Sequence, residues 1–403
     1  MGRGLFTSRT VGPMAGSHGP VGSAATQYGS SLRSIGRTLP FTSLPPLRQS
    51  ELTLCPHQFT VNTVSLAFDF EPLPARDHVA GLAKLLEKQR DPDEWYLKGG
   101  GVGALEAMVA DMFGKEDAVF LPTGTMANSI ALRLLCGERR RALVQANSHV
   151  YAAERDSSPS GVNLVPMAAG HPTPTPDEIL TALEAGETNP FLSNVGAISL
   201  ENPVNDMHGA SIPFDTLEKI SAHAKKWNVG MHWDGARALM LADTPGFDLR
   251  ATAALFDTVY MSIYKYLGAS FGAVLAGRRD MTSRVREMRR VYGGLIFSGW
   301  EAVLPVLHSL PTFNERYLAS RNRFADIVQG LEAAGGFAIE QVPNGTNKLF
   351  LKVEPDRAEG LADRLTAADI FACKPKDGQM ELYTNTSLLR RDPGEILRIF
   401  TNR

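Results

Sequence analysis

The chain has 403 residues, 41 Lys and Arg against 43 Asp and Glu, a net charge of −2 and 43% hydrophobic residues. This near-neutral balance argues against wholesale binding to nucleic acid or an anionic membrane, since both need a basic excess, and no run approaches the ~18 apolar residues of a membrane span. Cys55, Cys136 and Cys373 are too far apart for a C-x-x-C motif, and the histidines show no H-E-x-x-H or paired spacing, so no metal site is expected.

In chain order, residues 1–58 read as an N-terminal extension. They carry Arg3, Arg9, Arg33, Arg37 and Arg48, many Ser, Gly and Pro, and no acid before Glu51. Such a stretch has little to bury. It reads as a flexible tail or as an Arg- and Ser-rich organelle transit segment, and the expected location is the cytoplasm, or an organelle in the second case. Residues 59–312 read as a large α/β domain. Helical spacing covers 76–90 and 102–113. Apolar runs predict buried strands at Ala118–Leu121, Ala142–Val144, Leu164–Met167, Val195–Leu200, Val229–Trp233, Thr258–Ile263 and Ala273–Ala276. Helices are predicted between them at Asn128–Leu135, Asp177–Ala185 and Phe214–Trp227, the last with Asp215 and Glu218 as a capping box. This alternation predicts a mostly parallel sheet. Residues 313–403 read as a small α+β domain: helix to Ala334, strand at Lys348–Val353, helix near Arg357–Ala367, strand at Met380–Tyr383 and a final helix from Pro393.

Four candidate elements follow predicted strands. Lys265 stands after the run Val259–Ile263, where a lysine can enter the crevice beyond the strand ends of an open sheet and form an imine when partly desolvated. Taken alone, it reads more readily as a solvated turn residue, as most lysines after a strand are. In HWDGAR, Asp234 can accept from a protonated ring nitrogen and Arg237 can clamp a carboxylate; a structural ion pair explains the same letters. In LPTGTMAN, Thr123, Gly124 and Thr125 open a helix whose free N–H groups suit phosphate, or whose threonine simply caps it. His149 can stack on an aromatic ligand, or be a packed histidine. Together, in this order, these residues match the needs of pyridoxal 5′-phosphate: imine partner, pyridinium partner, ring cover, phosphate site and carboxylate clamp. GGGVG at 99–103 follows no apolar strand, which excludes a dinucleotide loop, and SIYK lacks the partner motifs of serine acyl-enzymes.

The stretches FLPTGTMAN, SLENPVNDMHGASIPFDTL, MHWDGAR and YKYLGASFGAVLAG resemble the low-specificity L-threonine aldolases, in the β-eliminating lyase group of fold-type-I pyridoxal phosphate enzymes. The resemblance implies an aspartate aminotransferase-like large domain and a small C-terminal domain. It also implies Lys265 as the Schiff-base lysine, Asp234 at the pyridine nitrogen and His149 on the ring. Gly124 and Thr125 then lie at the phosphate with Arg290 as a further basic contact, Arg237 at the substrate carboxylate, and Glu201 and Asn202 in support. A homodimer or homotetramer acting on a small amino acid is implied as well. Four places depart from the family. The usual acidic D-P-T turn before its first long helix reads LKGGGVGALE here. The usual serine-aspartate-threonine reads Phe68, Asp69, Phe70; Phe297 stands where an R-Q pair helps hold phosphate; and Glu381 replaces a second carboxylate-binding arginine.

The expected activity is cleavage of an L-3-hydroxy-α-amino acid to glycine and an aldehyde. The alternatives are β-elimination or racemisation on the same cofactor, and, from another class, an inactive homologue serving as a binding scaffold.

Overall fold

Short apolar runs joined by amphipathic helices settle into one sheet when helices cover both of its faces. The computed structural model describes residues 59–88, 94–154 and 160–402; the expectations for residues 1–58 lie outside them. After a short strand β1 (Val64–Ser65) come β2 (Asp117–Leu121), β3 (Arg141–Gln145), β4 (Asn163–Met167), β5 (Ala197–Glu201), β6 (Gly230–Asp234), β7 (Thr258–Ser262) and β8 (Ala273–Gly277). These last seven form a sheet in the order β2-β8-β7-β6-β5-β3-β4. Only β8 runs antiparallel to its neighbours β2 and β7; the other pairs are parallel. The interior strands β3, β5, β7 and β8 are buried along their whole length. Strand β4 is partly exposed and carries Pro166, which has no N–H to give and so suits an edge.

Trp233, fully buried, anchors the main core. Its ring meets Phe113 edge-on at 5.9 Å and Phe256 at 5.7 Å. Its indole N–H donates to the Asn202 carbonyl at 2.8 Å, so the polar end of a large aromatic is satisfied inside.

Strands β9 (Phe337–Gln341), β10 (Lys348–Val353) and, after β11 (Ile370–Phe371), β12 (Gln379–Tyr383) complete the chain. An antiparallel sheet has the order β12-β10-β9, and β11 pairs parallel with β1. Val64 and Leu66 therefore pack with the C-terminal core, although their chain position groups them with residues 59–312. The helix Phe313–Ala334 serves both cores: Phe313 and Tyr317 enter the first, Phe324, Ile327 and Leu331 the second.

Several sequence expectations shift. The capping box at Asp215 does not form, because Pro213 takes the N-cap position and no side chain caps that helix. The same device forms instead at Thr175–Glu178, where Thr175 Oγ1 accepts from the Glu178 N–H and the Glu178 carboxylate accepts from the Thr175 N–H. The helix expected near Arg357–Ala367 is two pieces, Pro355–Ala358 and Leu361–Ala367, interrupted at Gly360, whose φ of +64° breaks the helical path. Strand β9 and the helix Trp300–Ser309 carried no sequence expectation. Among the described residues no helix is long and apolar enough to cross a membrane.

Candidate active site

The carboxyl ends of β3, β5, β6 and β7 bring His149, Glu201, Asp234 and Lys265 to one side of the sheet, where open α/β sheets form ligand crevices. A cavity of about 330 Å³ opens there. Its lining includes Thr123, Gly124, Thr125, His149, Asp234 and Lys265.

The helix Gly124–Cys136 begins at the cavity wall. Thr123 Oγ1 caps the helix by accepting from the Met126 N–H at 3.2 Å, and Gly124 and Thr125 line the cavity. Gly124 cannot be larger. A Cβ there would fall inside the van der Waals shell of the Tyr260 hydroxyl. Gly124→Ala is therefore expected to weaken cofactor binding by roughly 5- to 150-fold, the equivalent of an overpacking cost of about 1–3 kcal/mol. Equilibrium titration of cofactor-free protein checks this, and an unchanged affinity would remove the cradle from the site.

Burial pulls the Lys265 amine down to about 8, with the nearby Arg237 guanidinium adding to the effect; Asp234, Glu201 and Asp69 oppose it. The amine is thus partly neutral near physiological pH, as imine formation requires.

Asp234 is buried and aimed by two donors. The Asn128 side-chain amide donates to its Oδ2 at 3.0 Å and the Ala236 N–H to its Oδ1 at 3.2 Å. Asn128 is fixed in turn. Its Oδ1 meets His232 Nε2 at 3.0 Å, and His232 Nδ1 meets Thr258 Oγ1 at 2.8 Å. Burial pushes His232 down to about 4, so the ring is neutral. Because the Asn128 NH₂ donates to Asp234, its oxygen must accept, which assigns the His232 proton to Nε2 and leaves Nδ1 to accept from Thr258. Sequence reading assigned no role to Asn128 or His232. The signal for His232 was its position two residues before Asp234, on the same face of β6.

His149 Nδ1 lies 2.9 Å from Glu154 Oε1, and that hydrogen bond raises its pKa against the opposing effect of burial. Its ring is 46% exposed, so water reaches it. Glu201 holds the same turn from below: its Oε2 accepts from the His149 N–H at 2.6 Å and its Oε1 from the Asn205 N–H at 2.9 Å. Burial and the Asp234 charge push Glu201 up to about 7. Asn202 Oδ1 accepts from the Ile212 N–H at 2.9 Å, so this residue secures the following loop.

Two expected site residues stand differently. Arg237 pairs not with Asp234 but with Asp69, Nε to Oδ2 at 2.6 Å, and Asn347 donates to the other oxygen of that carboxylate at 2.8 Å. The arginine is not among the cavity's lining residues. Arg290 is exposed and outside the lining. One residue is about 100° of helix rotation, and here Arg289 is the one turned inward, 2% exposed and donating to the Phe120 carbonyl at 2.6 Å.

A mostly parallel sheet with a lysine, a buried acid, a histidine and a helix start around one crevice defines an α/β enzyme of the fold-type-I pyridoxal phosphate class. The chain belongs to the beta-eliminating lyase family, whose sequence model matches residues 88–386. It is 26% identical over 282 residues to low specificity L-threonine aldolase of Escherichia coli (strain K12), covering 69% of this chain and 82% of that protein. It is also 32% identical over 197 residues to alanine racemase TOXG of Cochliobolus carbonum, covering 47% of this chain and 49% of that one. Among solved structures, Leishmania major threonine aldolase shares the fold at a TM-score of 0.66 and 22% identity, over 84% of this chain and 97% of that one.

Proposed function

We propose that this chain is a pyridoxal 5′-phosphate-dependent aldolase that cleaves an L-3-hydroxy-α-amino acid, of the threonine or allo-threonine kind, to glycine and an aldehyde. The observation that carries the reading is the single cavity onto which Lys265, Asp234, His149 and the Gly124–Thr125 helix start all open.

The residues fit the cofactor. Lys265 is the amine for its aldehyde, Asp234 the acceptor for its ring nitrogen, His149 the flat group for its ring, and Gly124 and Thr125 the donors for its phosphate. When bound, the cofactor supplies an electron sink for the pair released at Cα. The chain does the rest. Glu154 holds His149 by Nδ1, which leaves Nε2 to take the β-hydroxyl proton, directly or through water, and the raised pKa makes that nitrogen a better base. Asn128 and the Ala236 N–H keep the Asp234 carboxylate aimed into the cavity. Arg237, oriented by Asp69, fixes the substrate carboxylate. A homodimeric or homotetrameric state and a cytoplasmic location belong to the same proposal.

Product analysis tests it. With a panel of L-3-hydroxy amino acids, glycine and aldehyde are expected in equal amounts; ammonia with a 2-oxo acid would replace this reading by β-elimination. The similarity to a protein named alanine racemase favours one further arm, in which loss of optical activity from L-alanine without bond cleavage would identify a racemase.

A further inference from the structure

Asn128 touches both halves of the site with one nitrogen. It lies one turn into the helix Gly124–Cys136 and is 1% exposed. Its side-chain NH₂ has two hydrogens to give. One goes to Asp234 Oδ2 at 3.0 Å, and the other lies between the two oxygens of Glu154, at 3.4 Å and 3.5 Å. Glu154 Oε1 is the same atom that holds His149 Nδ1 at 2.9 Å. A single amide therefore stands between the carboxylate that grips the histidine and the carboxylate at the end of β6.

Three separate elements build this bridge. Side chains alternate along a strand, so β6 carries His232 and Asp234 on one face, and both meet the helix residue Asn128. The chain turns after β3 through the short helix His149–Ala152, which brings Glu154 back to the ring five residues before it. His232 gives the amide its direction. Its Nε2 meets the Asn128 oxygen at 3.0 Å, and Thr258 fixes its other nitrogen at 2.8 Å. An amide turned the other way would set its oxygen against two carboxylates and its NH₂ against the His232 N–H.

Electrostatics show what the bridge does. The Glu154 hydrogen bond is the largest influence on the His149 ring and favours its protonated form; burial opposes it, the Glu154 and Asp234 charges add to it, and Lys265 opposes it. Glu201 takes the His149 backbone N–H. Glu154 and Asp234 are 4% and 2% exposed, so water screens neither well. Left bare, two such anions would keep the imidazole protonated, and a protonated imidazole cannot accept the β-hydroxyl proton. A neutral amide with two N–H donors offsets part of their negative potential and adds no charge of its own.

We propose that Asn128 is a positioning residue that keeps His149 free to accept a proton by bridging Glu154 to Asp234, and that His232 holds the bridge in the required orientation. The proposal rests on the functional reading above for the roles of His149 and Asp234, and adds to it the residues that set one against the other.

The test uses cofactor-free protein, in which Lys265 is a free amine throughout. The histidine rings are followed by NMR against pH, with the His149 signal assigned by its loss in His149→Asn. In Asn128→Leu, the His149 ring is expected to hold its proton about tenfold more tightly than in wild type, as for one lost hydrogen bond to a charged group. Asn128→Asp keeps the shape, adds a negative charge and is expected to move the ring the same way. A merely structural role has the opposite sign, because a loosened site hydrates the ring and returns it toward its ordinary 6.5. Asp234→Asn is expected to weaken the His149 proton, and to do so by about threefold more when Asn128 is already leucine, since nothing then stands between the two groups. His232→Gln, which can still give an N–H to the amide oxygen, is expected to stay near wild type, and His232→Leu to follow Asn128→Leu. A His149 proton held no more tightly in Asn128→Leu and Asn128→Asp, or an Asp234→Asn effect equal in both backgrounds, overturns the proposal. Failure of the underlying functional reading looks different: wild-type protein then shows no imine absorbance with pyridoxal 5′-phosphate, whatever the titration of His149.

Discussion

Lys265→Ala is expected to be unlabelled at the active site by borohydride, to lack the imine's visible absorbance, and to lose at least about a thousandfold in turnover, ~4 kcal/mol of transition-state stabilisation. The same variant is expected to melt at a higher temperature than wild type at pH 7. The two effects have one origin. Burial pulls the amine from 10.5 to about 8, so the folded protein holds a proton less willingly than the unfolded chain does. A depressed lysine opposes folding fully below pH 8, and the opposition fades as pH rises toward 10.5. The gain in melting temperature should therefore shrink between those pH values, and the rate of imine formation by cofactor-free wild type should rise through about pH 8, as the neutral amine accumulates. Thermal melts at three pH values and stopped-flow absorbance check both. Residual turnover near the wild-type level would remove Lys265 from the chemistry, and an unchanged melting temperature would mean that its amine is well solvated.

The largest expected loss of stability comes from Asp69→Leu. It leaves Arg237, whose side chain is 11% exposed, without the carboxylate 2.6 Å from its Nε. Removing one member of a buried pair costs about 3–5 kcal/mol, mainly because the other charge stays behind, so the melting temperature should fall by on the order of 10 °C. Asp69→Leu combined with Arg237→Met is expected to recover most of that loss, since no unpaired charge remains, while substrate binding stays impaired. The pair also sets an acid limit. Burial pushes the Asp69 carboxyl up, but Arg237, Lys348 and Asn347 outweigh it and hold the group below its usual range. Its contribution is present above the unfolded value of 3.8 and is lost as pH falls through the lower folded value. A double variant as unstable as the single one would show that the leucine, and not the stranded guanidinium, does the damage.

Sequence patterns reached the site where chemistry sits beside a strong local signal. Lys265 and Asp234 stand just beyond or at the end of apolar runs, and Gly124 and Thr125 open a helix, so strand ends and a helix start located them. What pattern could not reach was pairing over distance. Asn128 meets Asp234 across 106 positions and Arg237 meets Asp69 across 168, and no local period encodes either. That is why the Asp-x-x-Arg spacing suggested a pair that the fold does not make. Arg290 lies outside the cavity for a finer reason, since one helical residue separates the outward guanidinium from the inward Arg289, and spacing alone does not fix the rotation of a helix about its axis. The letters of a capping box were present at Asp215 and Glu218, but Pro213, two residues earlier, takes the N-cap position.

The 22-residue helix Phe313–Ala334 has a mechanical consequence. One end is bolted into the sheet that carries Lys265, the other into the sheet that carries Lys348. A rod shared by two cores passes the loosening of one to the other, so heat should disassemble both in a single cooperative event rather than in sequence. The same coupling makes the helix the natural lever for any rocking of one sheet against the other, and its middle turns are where a swing that widened or narrowed the crevice would have to bend.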